Sequence, residues 1–224
     1  RTIAKELETL GLANALHITR HQLLVSPLVP YTSHNSAACI RVHAEPKNLA
    51  AIQAYCEQYL AANSAEGSDA GLCVAPEEKI SREIQRFGFL AKRRLVTQAD
   101  ARNLSAQAGL PLVGLTGTHD GMIGALAATG LHASGSDGRL LWLRGLREMT
   151  DRAMSLGEVF AKTGLDVVQT RDGEVLTDEE RLIEMGSWPR AVWMNNEAVL
   201  IVEKTGNEEG ADWRVADKQY LKQF

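Results

Sequence analysis

An α+β fold with α/β-like alternation is what this sequence predicts, on three observations. Helical and strand patterns alternate from Ile3 to Leu143, and a glycine-rich turn joins a strand-like stretch to a helix near residue 120. Past Met149 the texture changes to hairpins, which predicts a small β-rich tail. At 224 residues the chain can bury roughly 70% of the surface its unfolded form would expose, enough for one large domain or two small ones.

Ile3, Leu7 and Leu10 recur at helical spacing and Gly11 is a natural stop, so the first element is a short amphipathic helix. Residues 22–29 and 37–44 read as strands; in the second, Ala38, Ile40 and Val42 alternate with Cys39, Arg41 and His43. Residues 47–62 carry Leu49, Ile52, Tyr55, Cys56 and Tyr59 on one helical face, followed by a polar loop and a short buried strand at 71–75. Pro76 suits a first helical turn, and Ile80, Ile84 and Phe87 mark the next amphipathic helix. Thr97 with Asp100 predicts a cap opening a helix that runs to Ala108. A strand is expected at 139–143, a helix at 156–162, and hairpins at 166–176 around Asp172-Gly173 and at 191–203 around Asn195-Asn196.

The sharpest local signal lies between Leu110 and Gly130. An apolar strand-like stretch passes through Gly114, Gly117, Thr118, His119, Asp120 and Gly121 into a helix-forming run at 122–129. Such a turn aims backbone N–H groups and the positive end of the helix dipole at one spot, a seat for phosphate or carboxylate. The glycine spacing fits neither a Walker loop nor a dinucleotide fingerprint, so an anion site and packing glycines stay open as alternatives. Asp120 is expected to cap the helix, with His119 a proton carrier or phosphate ligand.

With 24 basic and 28 acidic residues, the net charge of −4 argues against a dedicated non-specific nucleic-acid or membrane binder. Lys92-Arg93-Arg94 follows a helix, where cations complement the dipole. Cys39, Cys56 and Cys73 lie in apolar segments without a Cys-x-x-Cys pair, which predicts reduced core thiols, no structural zinc and a cytoplasmic protein. His17 and His21 have metal-pair spacing only if their stretch is helical, and no third ligand has fitting spacing, so no metal site is expected. Trp142, Trp188, Trp193 and Trp213 are scattered and read as packing residues. The loop at 27–36 presents His34 and Asn35, and the loop at 64–71 presents Ser68 and Asp69; both suit ligand contact as well as ordinary turn chemistry.

Two motifs carry a family resemblance. Leu24-Val25-x-Pro27-x-x-Pro30-Tyr31 with Asn35-x-Ala37-Ala38, and the segment Gly121-Met-Ile-Gly124-Ala-Leu-Ala-Ala-Thr-Gly130, resemble the archaeal tRNA-isoleucine agmatidine synthetase family (TiaS). The second match is nearly unbroken against that family's Gly-Ile-Ile-Gly-Ala-Leu-Ala-Ala-Ile-Gly. The resemblance implies a kinase-like α/β domain over residues 1–97, a ferredoxin-like subdomain over 98–149 and an accessory β-rich unit over 150–224. It also implies ATP with magnesium, and group transfer onto a small-molecule or tRNA-linked substrate.

The departures from the family are specific. Its Asp-Asp-Thr-Asp segment would fall before Arg1, and Tyr31-Thr32-Ser33-His34 stands where the synthetases place Lys-Thr-Arg-Gly. Residues 150–224 carry no cysteine of a zinc ribbon and no sign of the family's oligonucleotide-binding fold. The expectation is therefore a shortened relative. His34, Asn35 and Asp69 would line the substrate cleft, and Gly117, Thr118, His119, Asp120, Gly121 and Gly124 would form a nucleotide cradle. The alternative is a non-catalytic small-molecule or anion-binding protein that keeps the fold.

Overall fold

The computed structural model describes residues 1–29, 34–206 and 210–224. Pro30 and Tyr31 of the first family-like motif, and Thr32-Ser33 beside them, lie outside the described residues. The architecture is mixed α+β, and the chain divides into two compact units: residues 1–15 with 20–134, and residues 16–19 with 135–224.

The first unit begins with α1 (Thr2–Thr9), which buries Ala4 and Leu7, and continues into β1 (Asn14–Gln22), whose residues 16–19 belong to the second unit. Its neighbour in the sheet is β2 (Ser36–His43). The strand expected at 22–29 is thus displaced toward the N-terminus. The cause is burial of polar residues: His17, Thr19 and His21 all lie inside on β1, a pattern that hydrophobic alternation does not detect. In the stretch assigned to that strand, Val25 and Leu28 are exposed instead. The Leu24 N–H goes to the carbonyl of Ala91 at 3.0 Å, not to a strand ladder.

A 3₁₀ turn at Pro46–Asn48 leads into α2 (Leu49–Asn63), whose predicted face contributes buried Ile52 and Cys56. Next come β3 (Gly71–Cys73), half-buried rather than fully buried, and α3 (Arg82–Arg93), capped by the Ser81 side chain. Lys92 and Arg93 occupy its last turn, as expected for cations at a helix C-terminus. Then follow α4 (Gln98–Gln107), β4 (Leu112–Gly114) and α5 (Gly121–Ala133). β3 and β4 form a two-stranded antiparallel sheet with Leu72 opposite Val113.

α5 organises this unit. It is apolar nearly all round and buries Met122, Leu126 through His132, which is the signature of a helix enclosed by protein. Close approach of neighbouring backbone explains its glycines. A Cβ on Gly130 would lie 2.2 Å from the Ile84 carbonyl oxygen of α3, and one on Gly88 of α3 would lie 2.8 Å from the Ala127 carbonyl oxygen of α5. These reciprocal gaps let the two helices touch backbone to backbone. At the other end, a Cβ on Gly71 would fall 2.3 Å from Gly121 C and Met122 N.

The second unit holds β5 (Arg139–Leu143), β6 (Ala153–Ser155), α6 (Leu156–Lys162), β7 (Val167–Thr170), β8 (Leu182–Glu184), β9 (Ala191–Met194), β10 (Glu197–Lys204) and β11 (Trp213–Val215). The strand order is β5-β9-β10-β11-β8-β6, with β7 also pairing with β10. β9 and β10 form the expected antiparallel hairpin around Asn195 and Asn196, at φ 54° and 63°, the left-handed pair that a tight hairpin turn demands. The other expected hairpin is only partial. β7 runs parallel to β10, and its return arm makes one bridge, Gln169 with Val175. β10 alternates between two cores: Ala198, Leu200 and Val202 join the cluster of Leu156, Val168 and Ile183, whereas Val199 and Ile201 pack with Val192, Ala216 and Leu221.

Among the tryptophans, Trp188 departs from the packing expectation, being 57% exposed. The three cysteines are free. No helix among the described residues is long and apolar enough to cross a membrane.

Two measurements check these assignments. Gly130→Ala is expected to cost about 3 kcal/mol in urea unfolding, because its methyl meets backbone. Gly124→Ala, whose Cβ would meet only the Leu23 and Ala37 side chains at 3.3 and 3.4 Å, should stay within about 1 kcal/mol of the parent because helix propensity offsets the crowding. Equal losses would reject backbone contact as the cause. The Thr97–Asp100 capping box forms as expected. Hydrogen bonds from the Thr97 N–H and then its hydroxyl hold Asp100 below its ordinary value of 3.8. This stabilisation is therefore complete above that value and is lost as pH falls through the lower folded value. Thr97→Ala, which removes the hydroxyl and keeps the N–H, should flatten part of that acid-limb loss in a pH series of unfolding curves, and Asp100→Asn should remove it.

Candidate functional site

The turn between β4 and α5 meets the segment preceding β3, and a hydrogen-bond mesh fixes the junction. The Thr116 hydroxyl donates to Ser68 O at 2.6 Å and accepts from Ala70 N–H at 2.8 Å, while Leu115 N–H donates to Ala70 O at 2.8 Å. Gly117 then turns the chain at φ 60°, where a Cβ would strike Asp69 Oδ1 at 1.9 Å. Thr118 follows, donating its N–H to Asp69 Oδ1 and its hydroxyl to Asp69 Oδ2 at 3.0 Å.

Asp69 thus sets its carboxyl group just ahead of the N-terminus of α5. The glycines pack backbone against backbone here, and the carboxylate beside the Thr118 N–H is the chain's own. A Cβ on Gly121 would lie 2.1 Å from Asp69 O, so that glycine serves this approach directly.

The remaining predicted residues separate into two groups. His119 and Asp120 belong to the same turn. His119 is exposed with φ 71°, a conformation in which a non-glycine residue is uncommon, and Gly114 leaves room for its Cβ. Asp120 occupies the N-cap position of α5 but makes no side-chain cap, contrary to expectation. Its own backbone is helical at φ −64°, and its carboxylate accepts instead from Gln98 Nε2 at 2.7 Å. Gly124 lies one turn further into the helix against Leu23 and Ala37.

His34 and Asn35 stand at the entry to β2. His34 is exposed. Asn35 is a structural tie: its Nδ2 donates to Leu24 O at 2.9 Å, and its carbonyl accepts from Leu23 N–H at 2.9 Å and Gln22 Nε2 at 2.7 Å. It holds the chain leaving β1 against the chain entering β2.

Sequence reasoning missed Thr116 and Gln98. Gln98 Nε2 also reaches Thr118 O at 2.8 Å, so one amide links the start of α4 to the turn. Nothing in its local sequence marks it, because its role depends on residues 20 and 22 positions away. The helical metal-pair reading of His17 and His21 does not hold, since both lie on β1. Among the described residues no three His, Cys, Asp or Glu side chains converge to hold a metal ion. Burial pushes the Cys39 thiol up to about 12 and those of Cys56 and Cys73 to about 11, so none is a ready thiolate nucleophile at neutral pH.

No family model matches the chain, and no curated protein does. Solved structures do. The fold is similar to that of a tRNA fluorescent labeling enzyme, at 22% identity and TM-score 0.47 over 58% of this chain and 30% of the other. It is also similar to apo TiaS, the tRNAIle2 agmatidine synthetase, at 18% identity and TM-score 0.43 over the same shares. The match spans less than one third of the length of either structure.

Asp69→Ala is expected to lower unfolding free energy by about 1–2 kcal/mol, the order of a charge-assisted hydrogen bond at a half-buried place. It should also speed amide exchange at Thr118 selectively. Unchanged protection of that amide would show that Asp69 does not hold the turn.

Proposed function

We propose that this chain performs ATP- and magnesium-dependent, kinase- or ligase-like group transfer on a small-molecule or RNA-linked substrate, related to agmatidine synthetase. The observation that carries the reading is the convergence of Asp69, Thr118, His119, Asp120 and Gln98 at the N-terminal end of α5, the helix formed by the family-like segment 121–130.

The residues fit a nucleotide only in company with a cation. A bare phosphate beside Thr118 would face the Asp69 carboxylate at short range, which opposes binding. Magnesium takes one or two carboxylates and completes its shell with water and phosphate oxygens. Asp69 and Asp120 are the carboxylates that would hold it, with Thr118, His119 and the Gly117–Gly121 backbone toward the phosphates. The metal would neutralise charge developing on the transferred group. Gln98 orients Asp120, and Thr118 orients Asp69, so the chain contributes positioning and electrostatics rather than a nucleophile.

One observation favours the second reading, a binding protein without catalysis: Asp69 already satisfies both donors of Thr118, so the turn is complete without a ligand.

Calorimetric titration decides between them. Catalytic group transfer predicts that Mg-ATP binds, that ATP with a chelator does not, and that Thr118→Val weakens the complex. Absence of Mg-ATP binding by the folded protein would reject the ATP-dependent reading and leave the binding-only one.

A further inference from the structure

The second unit is acidic by composition, with 17 Asp and Glu against 12 Lys and Arg over residues 135–224. Against that background one surface gathers cations around an aromatic ring. Trp188, 57% exposed, has Arg147 Cζ at 5.0 Å and Arg190 Cζ at 4.7 Å from its ring centroid. Arg144 and Arg152 lie on the same stretch as Arg147, together with Glu148 and Asp151, and all of these are exposed.

The group is built, not a stray side chain. The 3₁₀ turn Leu146–Met149 buries Leu146 and Met149 beneath it, and the loop carrying Trp188 is anchored by buried Met185 and Pro189. Two backbone bonds lace the loops together: Asp151 N–H to Gly186 O at 2.8 Å and Met185 N–H to Arg152 O at 2.9 Å. Arg147 also donates to Leu141 O at 3.0 Å, which fixes where its guanidinium sits. Burial elsewhere in this unit is supplied by two full cores, so packing does not account for the display of an indole here.

We propose that this surface is a contact for single-stranded nucleic acid. Indole and guanidinium planes stack on nucleobases of any sequence, and guanidinium groups take backbone phosphates with two parallel hydrogen bonds. An acidic peptide offers carboxylates for the arginines but no flat partner for the ring. RNA is the class chosen because the surface rests, for its biological use, on the RNA-linked arm of the function proposed above; its geometry does not depend on that arm.

The test is fluorescence anisotropy of a labelled 15-nucleotide single-stranded RNA titrated with the whole chain at low and moderate salt, with poly-glutamate as competitor. Binding is expected, weakened about tenfold by Trp188→Ala through lost stacking. Arg147→Ala and Arg190→Ala should each reduce the slope of log affinity against log salt by about one. Poly-glutamate should compete poorly. No binding at low salt, unchanged binding by all three variants, or equal competition by poly-glutamate would each overturn the proposal. Circular dichroism of the variants confirms folding, which exposed positions should preserve. The Mg-ATP isotherm of Trp188→Ala should match the parent, so loss of nucleotide binding and loss of RNA binding report separately on the two readings.

Discussion

The packing of α3 and of the chain entering β3 in the first unit depends on how closely their backbone approaches α5. A helix interior offers no hydrogen bonds to its surroundings, so its stability here comes from dispersion and burial at short range. Gly130 and Gly88 let α3 lie against it without intervening side chains, and Gly71 and Gly121 do the same for the chain entering β3. A single methyl at Gly71, Gly121 or Gly130 would displace backbone, not merely a rotamer. The segment that most resembles agmatidine synthetase is therefore first a packing code. Its glycines are explained by distances to carbonyls and amides before any ligand is considered.

That packing also creates the polar junction. With Gly121 pressed against Asp69 O, the side chain of Asp69 is carried to Thr118, and the turn is closed by a carboxylate that the fold itself supplies. Thr116 stitches both sides of the same junction, and Gln98 ties it to α4. The junction is thus a polar frame closed by hydrogen bonds between segments distant in sequence.

The second unit solves a different problem. β10 is buried on both faces, so alternate residues serve two cores, and β7, β9 and β11 all pair with it. A strand of this kind reads as a continuous apolar run, Ala198 to Val202, not as alternation. Such interior investment leaves the outer loops free to carry function. Trp188 lies on such an outer loop, with Arg147 and Arg190 over its ring.

By itself the sequence determined the elements whose causes are local. The Thr97–Asp100 cap, the Asn195-Asn196 turn, the strand at 139–143 and the helix at 156–162 each arise from neighbours a few residues apart. The same holds for the polar character of the turn before α5. Tertiary structure alone decided the rest. β1 was hidden because His17, Thr19 and His21 are polar yet buried, a state that requires partners supplied from far along the chain. Asp120 lost its expected capping role to Gln98, 22 residues earlier, and Gly117 and Gly121 owe their identity to Asp69, about 50 residues away. Local propensity is a matter of a few dihedrals, whereas burial of a polar group or contact between two backbones exists only once distant segments have been brought together.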